Sequence, residues 1–241
     1  MNTTSDARYI TSPDGTTLAL TQTGFRADKL PVVATHGWAN DRSVWVSLTE
    51  ELARDHYMIS WDLRGHGESS TPPPGTYTRT HALTDLEAVR NEAAGPDGGP
   101  VVLMGHSLGG FLSLAYAIDH PEKVAGLVLV ATGPGFRKAE AREEWNESVR
   151  DSAKKLGTPM GSEEISMHYD SHVIDHLTEI RVPVLVILGE RDKRFAASAS
   201  LFRRDLEVRE FITVPDQGHM VHVKAPIECS GAIRRFVAGL A

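Results

Sequence analysis

The chain holds one cysteine, Cys229, in 241 residues. No internal disulfide is therefore possible, and stability has to come from a buried core. Cys229 falls in a segment with helical spacing and reads as a small buried side chain. Basic residues are outnumbered: 25 Lys and Arg stand against 32 Asp and Glu, a net charge of −7. That balance argues against a nucleic-acid or anionic-membrane surface. No apolar run approaches the ~20 residues of a membrane-spanning helix. Met1 to Tyr9 has neither a basic start nor an apolar stretch, so it does not read as a secretory signal. Internal repeats and low-complexity tracts are missing as well. These absences lead to the expectation of a soluble, cytoplasmic protein that meets a small molecule, with no nucleic acid and no membrane. They assign no oligomeric state.

What is present alternates. Arg8–Thr11 and Thr16–Leu20 flank the turn signal Pro13-Asp14-Gly15 and read as an opening β-hairpin. Strands are then expected at Pro31–Thr35, Tyr57–Trp61, Pro100–Met104, Val124–Ala131, Val182–Leu188 and Glu210–Val214. Helices are expected at Ser43–Arg54, Thr80–Ala94, Leu108–His120, Ala196–Asp205 and Ala225–Leu240. The continuously apolar strands 124–130 and 182–188 suit a parallel sheet covered on both faces. The fold class is therefore α/β, a doubly wound and mostly parallel sheet, with its site at the carboxyl ends of the strands.

One stretch breaks the rhythm. Phe136 to Ile180 is too long for a simple crossover. Trp145, Val149, Ala153 and Leu156 recur at helical spacing, and Gly157-Thr158-Pro159-Met160-Gly161 ends that helix. A second helix is expected from Ser162, as N-cap, to Leu177. The chain thus divides into a core, residues 1–135 and 181–241, and a small helical lid, residues 136–180. His168, His172 and His176 would share a face of the second lid helix, a spacing that can bind zinc. A partly solvated face is the plainer reading, since no thiolate pair or glutamate motif accompanies them.

The decisive motif is Gly105-His106-Ser107-Leu108-Gly109, between an apolar strand and a helix. A serine on such a sharp strand-to-helix turn is held in a left-handed conformation with its hydroxyl exposed. The flanking glycines leave room for neighbouring backbone at that corner. A serine nucleophile needs a base, and the base needs an acid to orient it. Two later strands run into Gly189-Glu190-Arg191-Asp192 and Pro215-Asp216-Gln217-Gly218-His219. Ser107, Asp192 and His219 follow in the chain order Ser, Asp, His. Asp216 is a competing acid, but it shares a short loop with His219 and would struggle to reach the far ring nitrogen. Oxyanion donors are expected from the backbone N–H of Leu108 and, after the first parallel strand, of Trp38 in His36-Gly37-Trp38.

These segments, with Asp62-Leu63-Arg64-Gly65-His66-Gly67-Glu68-Ser69, resemble the α/β-hydrolase superfamily over nearly the whole chain. The resemblance implies a triad of Ser107, Asp192 and His219, with Arg64 and His66 as scaffold. The His36-Gly37-Trp38 start also resembles cofactor-free haloperoxidase or perhydrolase-type esterases, although Leu108 stands where those carry Thr. Ser107 stands where epoxide hydrolases and haloalkane dehalogenases carry Asp. Met220 follows the histidine where hydroxynitrile lyases carry Lys, and His106 replaces the Asn frequent in carbon–carbon bond hydrolases.

The expected activity is hydrolysis of carboxylic esters with small to medium apolar acyl groups, using no cofactor and no metal. Lactone, thioester or carbon–carbon hydrolysis on the same residues, or a slow-turnover ligand receptor, are the alternatives. Trp38, His106, Phe136, Trp145, Phe195 and Met220 are the expected pocket residues. Charged acyl groups are expected to be poor, with Arg64, Arg191 and Arg194 as the residues able to contradict that.

Overall fold

Eight strands form one sheet in the order β1-β2-β4-β3-β5-β6-β7-β8. They are β1 Arg8–Thr11, β2 Thr17–Thr23, β3 Val32–Thr35, β4 Met58–Trp61, β5 Val101–His106, β6 Val124–Val130, β7 Val184–Gly189 and β8 Val208–Val214. The structure is a computed structural model and describes residues 7–26, 29–95 and 98–240. The β1–β2 and β2–β4 pairs are antiparallel, and every other pair is parallel. Strands β3, β4, β5 and β7 are buried at every residue, as their largely apolar sequences dictate.

Helices α1 Val46–Leu52, α2 Arg79–Ala94, α3 Leu108–Asp119, α6 Ala196–Asp205 and α8 Pro226–Ala238 fall within a few residues of the expected helices; α4 Ala139–Leu156 and the single turns α5 His172–Asp175 and α7 Val221–Lys224 complete the set. The chain crosses from β3 to β4 in one direction along the sheet and from β4 to β5 in the other. Right-handed crossovers then put α1 and α2 on opposite faces. The order reverses between β3 and β5, so the loops leaving those two strands flank the crevice where ligands of such sheets bind. Those loops carry His36-Gly37-Trp38 and Ser107.

One expectation fails. No helix runs from Ser162 to Leu177: a 3-10 turn covers Ser162–Ser166, residues 167–171 are irregular, and α5 and a further 3-10 turn follow. The cause lies on α4. The Asn146 side chain donates to the His168 carbonyl (3.0 Å) and accepts from the His168 N–H (2.8 Å). Both backbone groups that a helix would use are thereby taken by a side chain. Asp170 then accepts from the His172 N–H at 3.0 Å, starting a new turn. With no shared helix, the three-histidine stripe does not exist: His168 packs on Phe111, while His172 and His176 stack on each other. Among the described residues no three His, Cys, Asp or Glu side chains are grouped to hold a metal ion.

The Asp62–Ser69 turn is scaffold. Arg64 is fully buried and grips both oxygens of Asp85 at 2.6 and 2.7 Å, the Thr76 carbonyl and Asp14. Cys229 is buried, which pushes its thiol up to about 12 and leaves it unreactive. No described helix is long and apolar enough to cross a membrane.

Candidate active site

Ser107 sits between the end of β5 and the start of α3 with φ 50° and ψ −114°, strained for a residue bearing a Cβ. The corner can close only on glycine. A Cβ on Gly105 would lie 2.3 Å from the Gly109 backbone, and one on Gly109 would lie 2.1 Å from the Thr35 carbonyl oxygen. Thr132, just beyond β6, donates its hydroxyl to the Ser107 carbonyl at 2.6 Å and pins the turn from the other side. The elbow is thus over-determined by its neighbours, which is what holds a strained serine in place.

The loops after β7 and β8 bring the Asp192 carboxylate to the His219 imidazole. His219 Nδ1 lies 2.9 Å from Asp192 Oδ2, with the carboxylate side chain 3% exposed and the imidazole 36% exposed. Asp192 takes Nδ1, and His219 lines a cavity together with Ser107. Asp216 instead pairs with the exposed Arg191, so the competing acid is turned away from the base. Phe195 stacks on the His219 ring at 5.3 Å and 17°. His106 is buried behind it and donates Nε2–H to the His219 carbonyl at 3.0 Å. His222 packs between His106 and Trp45, and neither of its ring nitrogens has a partner among the described residues. Burial holds His222 down to about 3 and His106 well below the ordinary histidine range, so both are neutral.

Two backbone donors beside Ser107 are unpaired among the described residues. Leu108 opens α3, where the first N–H groups have no partner inside the helix. Neither the Leu108 nor the Trp38 N–H finds an acceptor among the described residues. Gly37 allows the Trp38 loop to approach: a Cβ there would lie 2.8 Å from His106 Nδ1.

Two cavities meet at Ser107. The larger, about 350 Å³, is aromatic, walled by Leu108, Phe111, Phe136, Trp145, His168 and Phe195. The smaller, about 210 Å³, has Trp38, Asn40, His106, His219 and Met220 on its walls. Trp145, Ser148, Ser166 and Arg194 line both. All six expected pocket residues therefore border one cavity or the other. Phe111 and His168 were missed: the first hides in an apolar helix, and the second lay in the helix that does not form. Burial keeps the His168 imidazole down to about 4, so a neutral ring faces the larger cavity. Of the three arginines set against an apolar pocket, Arg64 is buried in the scaffold and Arg191 is paired outside. Arg194 is on the cavity wall.

Comparison with known proteins agrees with this architecture. The family description "alpha/beta hydrolase fold" matches residues 31–158. A Bacillus subtilis (strain 168) protein, provisionally named a 2-succinyl-6-hydroxy-2,4-cyclohexadiene-1-carboxylate synthase, is 28% identical, over 96% of this chain and 98% of its own. The human (lyso)-N-acylphosphatidylethanolamine lipase is 32% identical over 130 residues, 52% of this chain and 36% of that one. A thermophilic esterase from Thermogutta terrifontis, solved with malate bound, superposes with a TM-score of 0.81 at 25% identity, over 98% of this chain and 99% of that one. With its mostly parallel eight-stranded sheet and the family match over more than half its length, the chain belongs to the α/β hydrolase fold family.

Proposed function

We propose that this chain is a serine hydrolase of carboxylic esters carrying small to medium apolar acyl groups. Ser107 Oγ attacks the ester carbonyl while His219 Nε2 takes its proton, and Asp192 holds and stabilises the imidazolium. The N–H groups of Leu108 and Trp38 donate to the oxyanion. When the tetrahedral adduct collapses, the carbonyl–alkoxide bond breaks and His219 returns the proton to the leaving alcohol. Water, deprotonated by His219, then attacks the acyl-serine ester, and the acid and free Ser107 are released. No cofactor or metal enters this scheme. The segment 136–180 acts as a lid over the strand ends, and the protein works on a small-molecule substrate in the cytoplasm.

The observation that carries the reading is that Ser107 and His219 wall one cavity while Asp192 sits on the far ring nitrogen at 2.9 Å. The aromatic walls of the larger cavity support an apolar acyl group. Lactone, thioester or carbon–carbon bond hydrolysis on the same residues is the second reading, since the Bacillus relative is named for a synthase and not for an esterase. Treatment with diisopropyl fluorophosphate tests the nucleophile directly. Intact mass should rise by one diisopropylphosphoryl group, mapped to the Ser107 peptide and lost in Ser107→Ala. Labelling elsewhere, or none, would overturn it.

A further inference from the structure

Arg194 stands in the loop between β7 and α6, two residues after Asp192, on the wall of both cavities that meet at Ser107. Its guanidinium lies over the Trp145 ring, 5.3 Å from the centroid. Stacking on an aromatic face leaves the in-plane N–H donors of a guanidinium free. Among the described residues no carboxylate lies within 4.0 Å of it, and it makes no hydrogen bond. Several other arginines behave differently: Arg42 and Arg64 are held by Asp62 and Asp85, Arg137 by Asp175, and Arg191 by Asp216. An exposed cation resting over Trp145 on the wall of a site, without a counter-ion among the described residues, is able to meet an anion.

The two cavities differ in what they would do with that anion. Glu144 lines the larger beside Leu108, Phe111, Phe136, Trp145 and Phe195, so its carboxylate opposes a second carboxylate there and the apolar side chains favour an apolar chain, although Arg194 and several hydroxyls also reach that wall. The smaller offers Asn40, Ser148 and Ser152 beside Arg194, and no Asp or Glu lines it. At about 210 Å³ it has room for a short polar group.

We propose that Arg194 recognises a carboxylate on the leaving group, so that the substrate is an ester of a short hydroxy acid, with its apolar acyl chain in the larger cavity. This rests on the serine-hydrolase reading above and specifies its substrate class. The chemistry is unchanged: the acyl–oxygen bond breaks, His219 delivers its proton to the departing alkoxide, and the hydroxy acid leaves carrying its carboxylate.

Binding can be read without turnover. In the full chain carrying Ser107→Ala, calorimetry would compare butanoyloxyacetate with the neutral isostere, the N-methylamide of the same compound. The carboxylate should bind about tenfold or more tightly, with the preference falling as salt rises. Adding Arg194→Gln should bring the two affinities together, while Arg194→Lys should keep part of the difference. Circular dichroism would confirm that each variant folds. Equal binding of the two compounds, or a preference that survives Arg194→Gln, would overturn the inference. Hydrolysis of p-nitrophenyl butanoate by the unsubstituted chain reports separately on the hydrolase reading.

Discussion

Asp192 meets His219 at 2.9 Å between Oδ2 and Nδ1, although Asp216 lies only three residues from the same histidine. Sequence proximity and spatial role separate here. Asp216, 73% exposed on its side chain, is spent on Arg191, and its own backbone is left-handed at φ 58°. A partner 27 positions away wins because the β7 and β8 loops are adjacent at the sheet edge.

Two variants separate these acids. Asp192→Asn should lower kcat for an activated ester by about 10³- to 10⁴-fold, because an amide no longer selects the ring tautomer that accepts the serine proton. Asp216→Asn should stay within about twofold, since it breaks only an exposed ion pair. Steady-state kinetics on p-nitrophenyl butanoate checks both. A dead Asp216 variant beside an active Asp192 variant would reverse the assignment.

Acid should unfold this protein through its histidines. Burial holds His36 and His222 down to about 3 and His168 to about 4, and it also lowers His66 and His106. These rings stay neutral in the fold, while in the unfolded chain they titrate near 6.5. Below that value the unfolded chain therefore binds protons that the folded chain refuses, and stability falls as pH falls toward the folded values. At about 1.4 kcal/mol per pH unit, His36, His168 and His222 each cost about 2 kcal/mol at pH 5. Those three alone reach the lower end of a typical total stability of about 5–15 kcal/mol. Denaturant titrations should show a steep loss between pH 6.5 and 4. His222→Phe, which removes one unpartnered buried ring, should lose about 2 kcal/mol less than the parent between pH 7 and 5. A stability curve flat across that range would contradict the burial argument.

Acyl length should matter through the larger cavity. An apolar wall gains about 0.8 kcal/mol per buried methylene, or about fourfold in kcat/KM, until the space is filled. Across p-nitrophenyl esters of two to sixteen carbons, kcat/KM should rise from acetyl to about butanoyl or hexanoyl and then fall. Phe136→Ala, which opens one wall of the 350 Å³ cavity, should move the optimum to longer chains. A monotonic rise to the longest ester would refute the closed end of that pocket.

The core was legible because glycines, prolines and apolar runs punctuate it locally. The strands from Val32 to Val214 and the elbow at Ser107 each follow from a few neighbouring residues. Segment 136–180 was legible only in its first half. Nothing between Ser162 and Leu177 announces that Asn146, sixteen positions before Ser162, takes both backbone groups of His168. The same long-range contact decides that His168 faces the cavity instead of joining a histidine stripe. Arg194 shows a third kind of limit. The sequence marks it as a cation near the acid, but its lack of a counter-ion is a property of the folded neighbourhood.

Removing the Ser107 hydroxyl is the most direct test of the account. Ser107→Ala should keep the circular dichroism of the parent while its kcat on p-nitrophenyl butanoate falls by about 10⁴- to 10⁶-fold, leaving only binding and oxyanion effects. Parent-like hydrolysis by the folded alanine variant would contradict it.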